Sequence, residues 1–194
     1  MQNLIVADIF GRTKALEEFA TVFSEPSRIH DPYSAQNLVF KCEAEAYRYF
    51  SEHVTLENYA ESLSHCIQAI DSAVRLIGFS VGASAIWKIS DNPKLNHVSS
   101  ATGFYGSQIR NLVDIQPQFP IELIFPASEP HFSVDDLMSK LDTKNDVTLT
   151  RVPYSHGFMN PHSVNYHQTG YTQEVSALGK SSYGISQSSV ASAP

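Results

Sequence analysis

At 194 residues, with 42% apolar and 11% aromatic side chains, the chain has the size and composition of one globular domain with a substantial core. Its formal charge of -7 argues against the basic face that nucleic-acid binding needs. No run of about 18 apolar residues marks a transmembrane helix, and the apolar start has no basic leader and contains Asp8, so it reads as a strand and not as a signal peptide.

Short β-branched apolar runs alternate with longer helical patterns, which predicts βαβ units and a mostly parallel sheet. The first strand covers residues 4–7 and ends at Asp8. A helix over residues 13–23 follows, with Leu16, Phe19, Ala20 and Phe23 on one face. A weak strand at residues 27–30 is closed by Asp31-Pro32. Helices are predicted over residues 41–51 and 56–73, the second capped by Thr55. Cys42 and Cys66 fall in these helices without metal-ligand spacing and read as free thiols of a cytoplasmic protein. Val74–Phe79 is a buried-type strand that runs into Ser80-Val81-Gly82 and a helix over residues 83–89, stopped by Asp91-Asn92-Pro93. Residues 97–105 hold a strand ending at Gly106, Ile121–Phe125 hold another, and Val134–Leu141 form a short helix. Residues 147–152 alternate as a last strand and lead into the loop Pro153-Tyr154-Ser155-His156-Gly157-Phe158. A weak helix over residues 164–178 is interrupted by Gly170, and residues 179–194, rich in Ser, Gly and Ala, read as a flexible tail. This gives a single domain over residues 1–178.

Gly78-Phe79-Ser80-Val81-Gly82 matches the G-x-S-x-G nucleophile elbow, with a strand before it and a helix after it. The tight turn lifts the serine above the sheet and needs glycine where strand and helix approach. The Val81 N–H then points where a developing oxyanion would lie. Serine needs a base, and chain order places it after the last strand, at His156, with His131 as the rival. The acid that orients the imidazole belongs between residues 80 and 156. Glu129, in the loop after Ile121–Phe125, fits best. Asp135 and Asp136 remain open alternatives, although at the start of a helix they also complement its dipole.

Five pieces in order resemble the dienelactone hydrolase family: Val6-Ala7-Asp8-Ile9-Phe10-Gly11, Asp31-Pro32-Tyr33, Ile77 through Gly82, Phe104-Tyr105-Gly106 and His156-Gly157-Phe158. They span residues 4–165. The resemblance implies an α/β-hydrolase fold of about six strands with helices on both faces, shortened at its front. It implies that the Ile9 N–H completes an oxyanion hole with Val81, and that Asp8 contacts and tunes the resting nucleophile. The plain structural alternative for Asp8 is a strand-end carboxylate paired with Arg12 or water. Three departures stand out. Ser80 replaces the family's usual cysteine, Glu129 its aspartate, and Asn160 and Glu43 stand at or near the positions of arginines that clamp a substrate carboxylate. Pocket walls are expected around residues 33–49, Tyr105 and residues 158–160, with Tyr47, Tyr105, Phe158 and Asn160 as substrate contacts.

The expected function is a serine hydrolase cleaving a small-molecule carboxylic ester, lactone or thioester through an acyl-enzyme, without metal or organic cofactor and without nucleic-acid or membrane partners. The oligomeric state is left open. The contrasting class is a binding or regulatory protein on a hydrolase fold whose site no longer turns over.

Overall fold

The computed structural model describes residues 1–36 and 38–184. Six strands, β1 (Gln2–Val6), β2 (Ser27–His30), β3 (Val74–Phe79), β4 (Val98–Phe104), β5 (Ile121–Phe125) and β6 (Val147–Arg151), form one sheet in the order β2-β1-β3-β4-β5-β6. Every pairing is parallel. Six helices accompany them: α1 (Lys14–Ala20), α2 (Glu43–His53), α3 (Leu56–Gln68), α4 (Val81–Lys88), α5 (Val134–Leu141) and α6 (Gln168–Gly184).

Successive strand residues point to opposite faces, so each interior strand needs apolar residues on both sides. In β1, Leu4 and Val6 pack in one core with Tyr59, Leu63 and Ile67 of α3, Ile86 and Trp87 of α4, and Leu137 and Leu141 of α5. Ile5 joins the opposite core with Phe19 of α1, Ile77, Phe104, Ile124 and Leu178 of α6. β3 is buried along its whole length: Val74, Leu76, Ile77 and Phe79 enter the two cores, and the buried Arg75 donates to the Leu178 carbonyl at 3.0 Å.

Three helices depart most from the sequence reading. α1 ends at Ala20, although Phe23 stays buried beyond it. α3 ends at Gln68, not at residue 73. Ile70 still continues its apolar face into the core, but the chain turns through residues 69–73 to enter β3. α6 begins at Gln168, four residues later than expected, and runs to Gly184, past the expected boundary at 178. Gly170 does not break it. A Cβ there would lie 2.7 Å from the Tyr154 ring, so this glycine permits the first turn of α6 to lie against the loop after β6. Tyr171, Val175 and Leu178 then follow at helical spacing into the core. The remainder of the expected tail, residues 185–194, lies outside the described residues. No helix among the described residues is long and apolar enough to cross a membrane.

Candidate active site

The turn between β3 and α4 explains why its sequence brackets serine with glycine. Ser80 sits at φ 51°, a region that costs a non-glycine residue energy and that surrounding contacts must enforce. Its N–H donates to the Phe104 carbonyl at 2.9 Å, and its carbonyl accepts from Ser84 N–H at 3.0 Å. A Cβ on Gly82 would stand 2.4 Å from the Val6 carbonyl oxygen and 2.6 Å from that of Ala7. A Cβ on Gly78 would stand 2.8 Å from the Ala83 nitrogen. Both glycines let α4 start directly against β1 and β3, which puts Ser80 at the carboxyl end of the sheet.

There the Ser80 hydroxyl meets His156 Nε2 at 3.1 Å, and His156 Nδ1 meets Glu129 Oε1 at 2.7 Å. Because a carboxylate only accepts, Nδ1 carries the proton and Nε2 is free to accept from Ser80. Glu129 stands in a tight turn after β5, where it bridges to Phe132, and its side chain is only 7% exposed. The loop after β6 is held by Gly157 at φ 86°, whose Cβ would collide with Ser163, and by Asn165, whose side-chain amide donates to the His156 carbonyl at 2.9 Å. The other acid candidates lie elsewhere. Asp135 pairs with Arg151, and the Asp136 N–H donates to the Ser133 cap. His131 lines the same cleft, with no hydrogen bond to Ser80.

The Val81 N–H is the first of α4 and has no intrahelical acceptor. The Ile9 N–H is likewise without an acceptor among the described residues. The following peptide is held in place, since the Tyr33 hydroxyl donates to the Ile9 carbonyl at 2.6 Å. The Tyr59 hydroxyl donates to the Ala7 carbonyl at 3.0 Å, and so anchors the end of β1. Tyr33 is expected from sequence among the pocket walls; its bond to the Ile9 carbonyl instead places its hydroxyl behind the strand end.

Asp8 departs from expectation. Its carboxylate accepts from the Phe10 N–H at 2.9 Å and from the Asn160 amide, whereas the Ser80 hydroxyl bonds to His156. Arg12 is not its partner either; it pairs with Glu17 at 2.8 Å. Burial, opposed by those two hydrogen bonds and by the nearby His156 and His162, raises the Asp8 pKa.

The cleft in front of Ser80 and His156 holds about 470 Å³, within the usual range for small-molecule sites. Tyr47, Tyr105 and Asn160 line it, as do Glu43, Gln108 and Arg110. Tyr105 sits at φ 42° with its ring 4.8 Å from that of His156. Its hydroxyl is buried, and burial pushes its pKa well up against the opposing pull of the Met159 backbone. Phe158 is not a wall. It is 0% exposed and packs beneath the site on Phe104, Tyr105 and Tyr154, because the turn of the loop points it back into the core. Asn160 also differs in role: its amide nitrogen serves Asp8 and its oxygen accepts from the His162 N–H at 2.8 Å.

The fold is the α/β-hydrolase fold in the form found in dienelactone hydrolases. A candidate dienelactone hydrolase from Klebsiella pneumoniae superposes with a TM-score of 0.72 at 14% identity, over 91% of this chain and 83% of that one. The dienelactone hydrolase of Anabaena variabilis gives 0.66 at 14% identity, over 93% and 84% of the two chains. Est1E of Butyrivibrio proteoclasticus, solved with ferulic acid bound, gives 0.65 at 9% identity, over 95% and 89%. At these identities the likeness is one of fold. No protein-family model matches the sequence. The chain is 35% identical over 141 residues to the uncharacterized protein YczH of Bacillus subtilis, covering 71% of this chain and 68% of that protein, and it belongs to the same family.

Proposed function

We propose that the chain is a serine hydrolase of the dienelactone hydrolase-like type that cleaves a small carboxylic ester, lactone or thioester. The observation that carries this reading is the chain of contacts Ser80–His156–Glu129, at 3.1 Å and 2.7 Å, at the floor of a cleft of ligand size. Ser80 Oγ attacks the carbonyl carbon while His156 Nε2 takes its proton. Glu129 keeps the ring in the accepting tautomer and stabilises the imidazolium. The N–H groups of Ile9 and Val81 receive the oxyanion, the first next to the peptide that Tyr33 holds and the second at the start of α4. The imidazolium then protonates the leaving oxygen or sulfur, and the acyl group stays on Ser80. Water, deprotonated by His156, attacks this acyl-enzyme and releases the acid and the free serine. Two unpaired thiols, at Cys42 and Cys66, favour a reducing compartment such as the cytoplasm as its place of action.

The test is labelling by a fluorophosphonate together with hydrolysis of a neutral aryl ester. Wild-type protein is expected to label at one site and to turn over the ester, and Ser80→Ala to do neither. A folded wild-type protein that does not label overturns the reading in favour of a binding protein on a hydrolase fold.

A further inference from the structure

α2 brings a carboxylate and an aromatic ring to the cleft, one helical turn apart. Glu43 and Tyr47 stand at i and i+4, so they share a face, and both line the space in front of Ser80 and His156. The half-buried Glu43 carboxylate reaches the His156 loop. A Cβ on Gly157 would lie 3.7 Å from its Oε1, and its charge is felt at the Tyr105 hydroxyl. Among the described residues Glu43 has neither a hydrogen bond nor an ion pair, whereas Glu45, two residues on, accepts from the Lys41 N–H at 2.6 Å. Tyr47 is 48% exposed, yet its hydroxyl accepts from the Gln108 amide across the cleft at 3.0 Å, which fixes the ring. An unneutralised carboxylate beside a pinned aromatic face is the chemistry that recognises an ammonium group. The net charge of -7 adds long-range attraction for cations. Arg110, the cleft's own guanidinium, is turned to another wall. It donates to the Ser107 carbonyl at 2.6 Å and lies 5.2 Å above the Phe132 ring.

We propose that Glu43 and Tyr47 form a subsite for a cationic group of the substrate, an amino- or quaternary-ammonium-bearing ester or thioester. This rests on the hydrolase reading of the same cleft. Where the resemblance implied an arginine for a carboxylate, this chain places an acid, and the substrate's charge is inverted with it.

The experiment compares acetylthiocholine with its uncharged isostere 3,3-dimethylbutyl thioacetate and with the anionic S-acetyl-3-mercaptopropionate, following thiol release. The expected order of kcat/KM is cation, neutral, anion, with a cation-to-neutral ratio on the order of tenfold that shrinks as salt rises. Glu43→Gln is expected to collapse that ratio, Tyr47→Leu to reduce it, and Glu45→Gln, one residue pair away on the same helix, to leave it in place. A second readout does not need turnover: calorimetric titration with choline and with 3,3-dimethylbutanol, in wild type and in Glu43→Gln. Binding of choline over the alcohol that is lost with Glu43 supports the subsite. Equal or better use of the neutral isostere, a preference unaffected by Glu43→Gln, or a preference for the anion overturns it, and the last result transfers the anchor to Arg110. Fluorophosphonate labelling of Ser80 separates the two levels. A labelled enzyme indifferent to substrate charge refutes the subsite alone. An unlabelled protein that binds choline through Glu43 refutes the hydrolase and leaves the cation site standing.

Discussion

Glu129→Gln removes one negative charge from a site that is 7% exposed while keeping the shape of the side chain. The carboxylate stands 2.7 Å from His156 Nδ1. When His156 takes the Ser80 proton, the two charge centres lie about 4 Å apart, and at an effective dielectric of about 20 their attraction is about 4 kcal/mol. Glutamine loses that attraction. It also brings an amide N–H that competes for Nδ1 and favours the tautomer protonated at Nε2, which cannot accept from Ser80. The expected result is a fall in kcat of roughly a thousand- to ten-thousandfold, with a stability change of only about 1 kcal/mol because the pair keeps a hydrogen bond. Asp135→Asn is the matched control. It breaks an exposed pair with Arg151 and weakens the complement to the α5 dipole, together worth about 1 kcal/mol or less, and leaves kcat essentially unchanged. Steady-state kinetics on a neutral aryl ester, run beside urea denaturation of each variant, separate the two effects. The reasoning fails if Glu129→Gln keeps kcat within about tenfold of wild type, or if Asp135→Asn is the variant that loses it.

Gly82→Ala forces a Cβ against the Val6 and Ala7 carbonyls, both backbone atoms, and should destabilise the protein by about 3 kcal/mol or more; unchanged denaturation would show that α4 can slide on β1. Asp8→Asn tests a sign. Burial raises the Asp8 pKa above its ordinary 3.8, so the folded state holds that proton more tightly than the unfolded chain. The stability of wild type relative to Asp8→Asn should therefore be greatest in acid and decline as pH rises past 3.8 through the folded value, a trend read from urea titrations across pH and contradicted by a flat or rising difference. Tyr33→Phe deletes the hydrogen bond to the Ile9 carbonyl, which holds the peptide adjoining the Ile9 N–H. It should cost about 1 kcal/mol of stability and lower kcat about tenfold with little change in KM; a pure KM effect would place Tyr33 in binding instead.

What was legible in the sequence was whatever short-range chemistry encodes. The bounds of β3 and α5 match the sequence reading to the residue, because a largely apolar run and a short amphipathic turn are local signals. Ser80, Glu129 and His156 were each singled out by their place after a strand, and the structure brings the three side chains together. The misreadings came from contacts between distant segments. Gly170 looks like a helix breaker until Tyr154 is known to press on it. Phe158 follows a histidine that faces the cleft, and only the turn at Gly157 sends it into the core. The pairing of Asp8 with Asn160 spans 152 positions, and no spacing rule could have joined them.

That pairing also explains how the cleft came by its electrostatic character. An arginine at position 160 would set a full positive charge beside the Asp8 carboxylate and hold its pKa down. The asparagine present there offers one neutral N–H, so burial prevails and the pKa of Asp8 rises. Asn160 donates that N–H to Asp8 and accepts from His162 with its oxygen, which leaves it one further N–H and no charge to offer an incoming anion. On the α2 side the cleft is lined by Glu43, whose carboxylate repels an anion. The two residues act in the same direction: neither brings a cation to the wall of the cleft, and an unpaired carboxylate of the protein faces the space in front of Ser80. Arg110 remains in the cleft, but its guanidinium serves Ser107 and Phe132, so the balance of unengaged charge in front of Ser80 is negative.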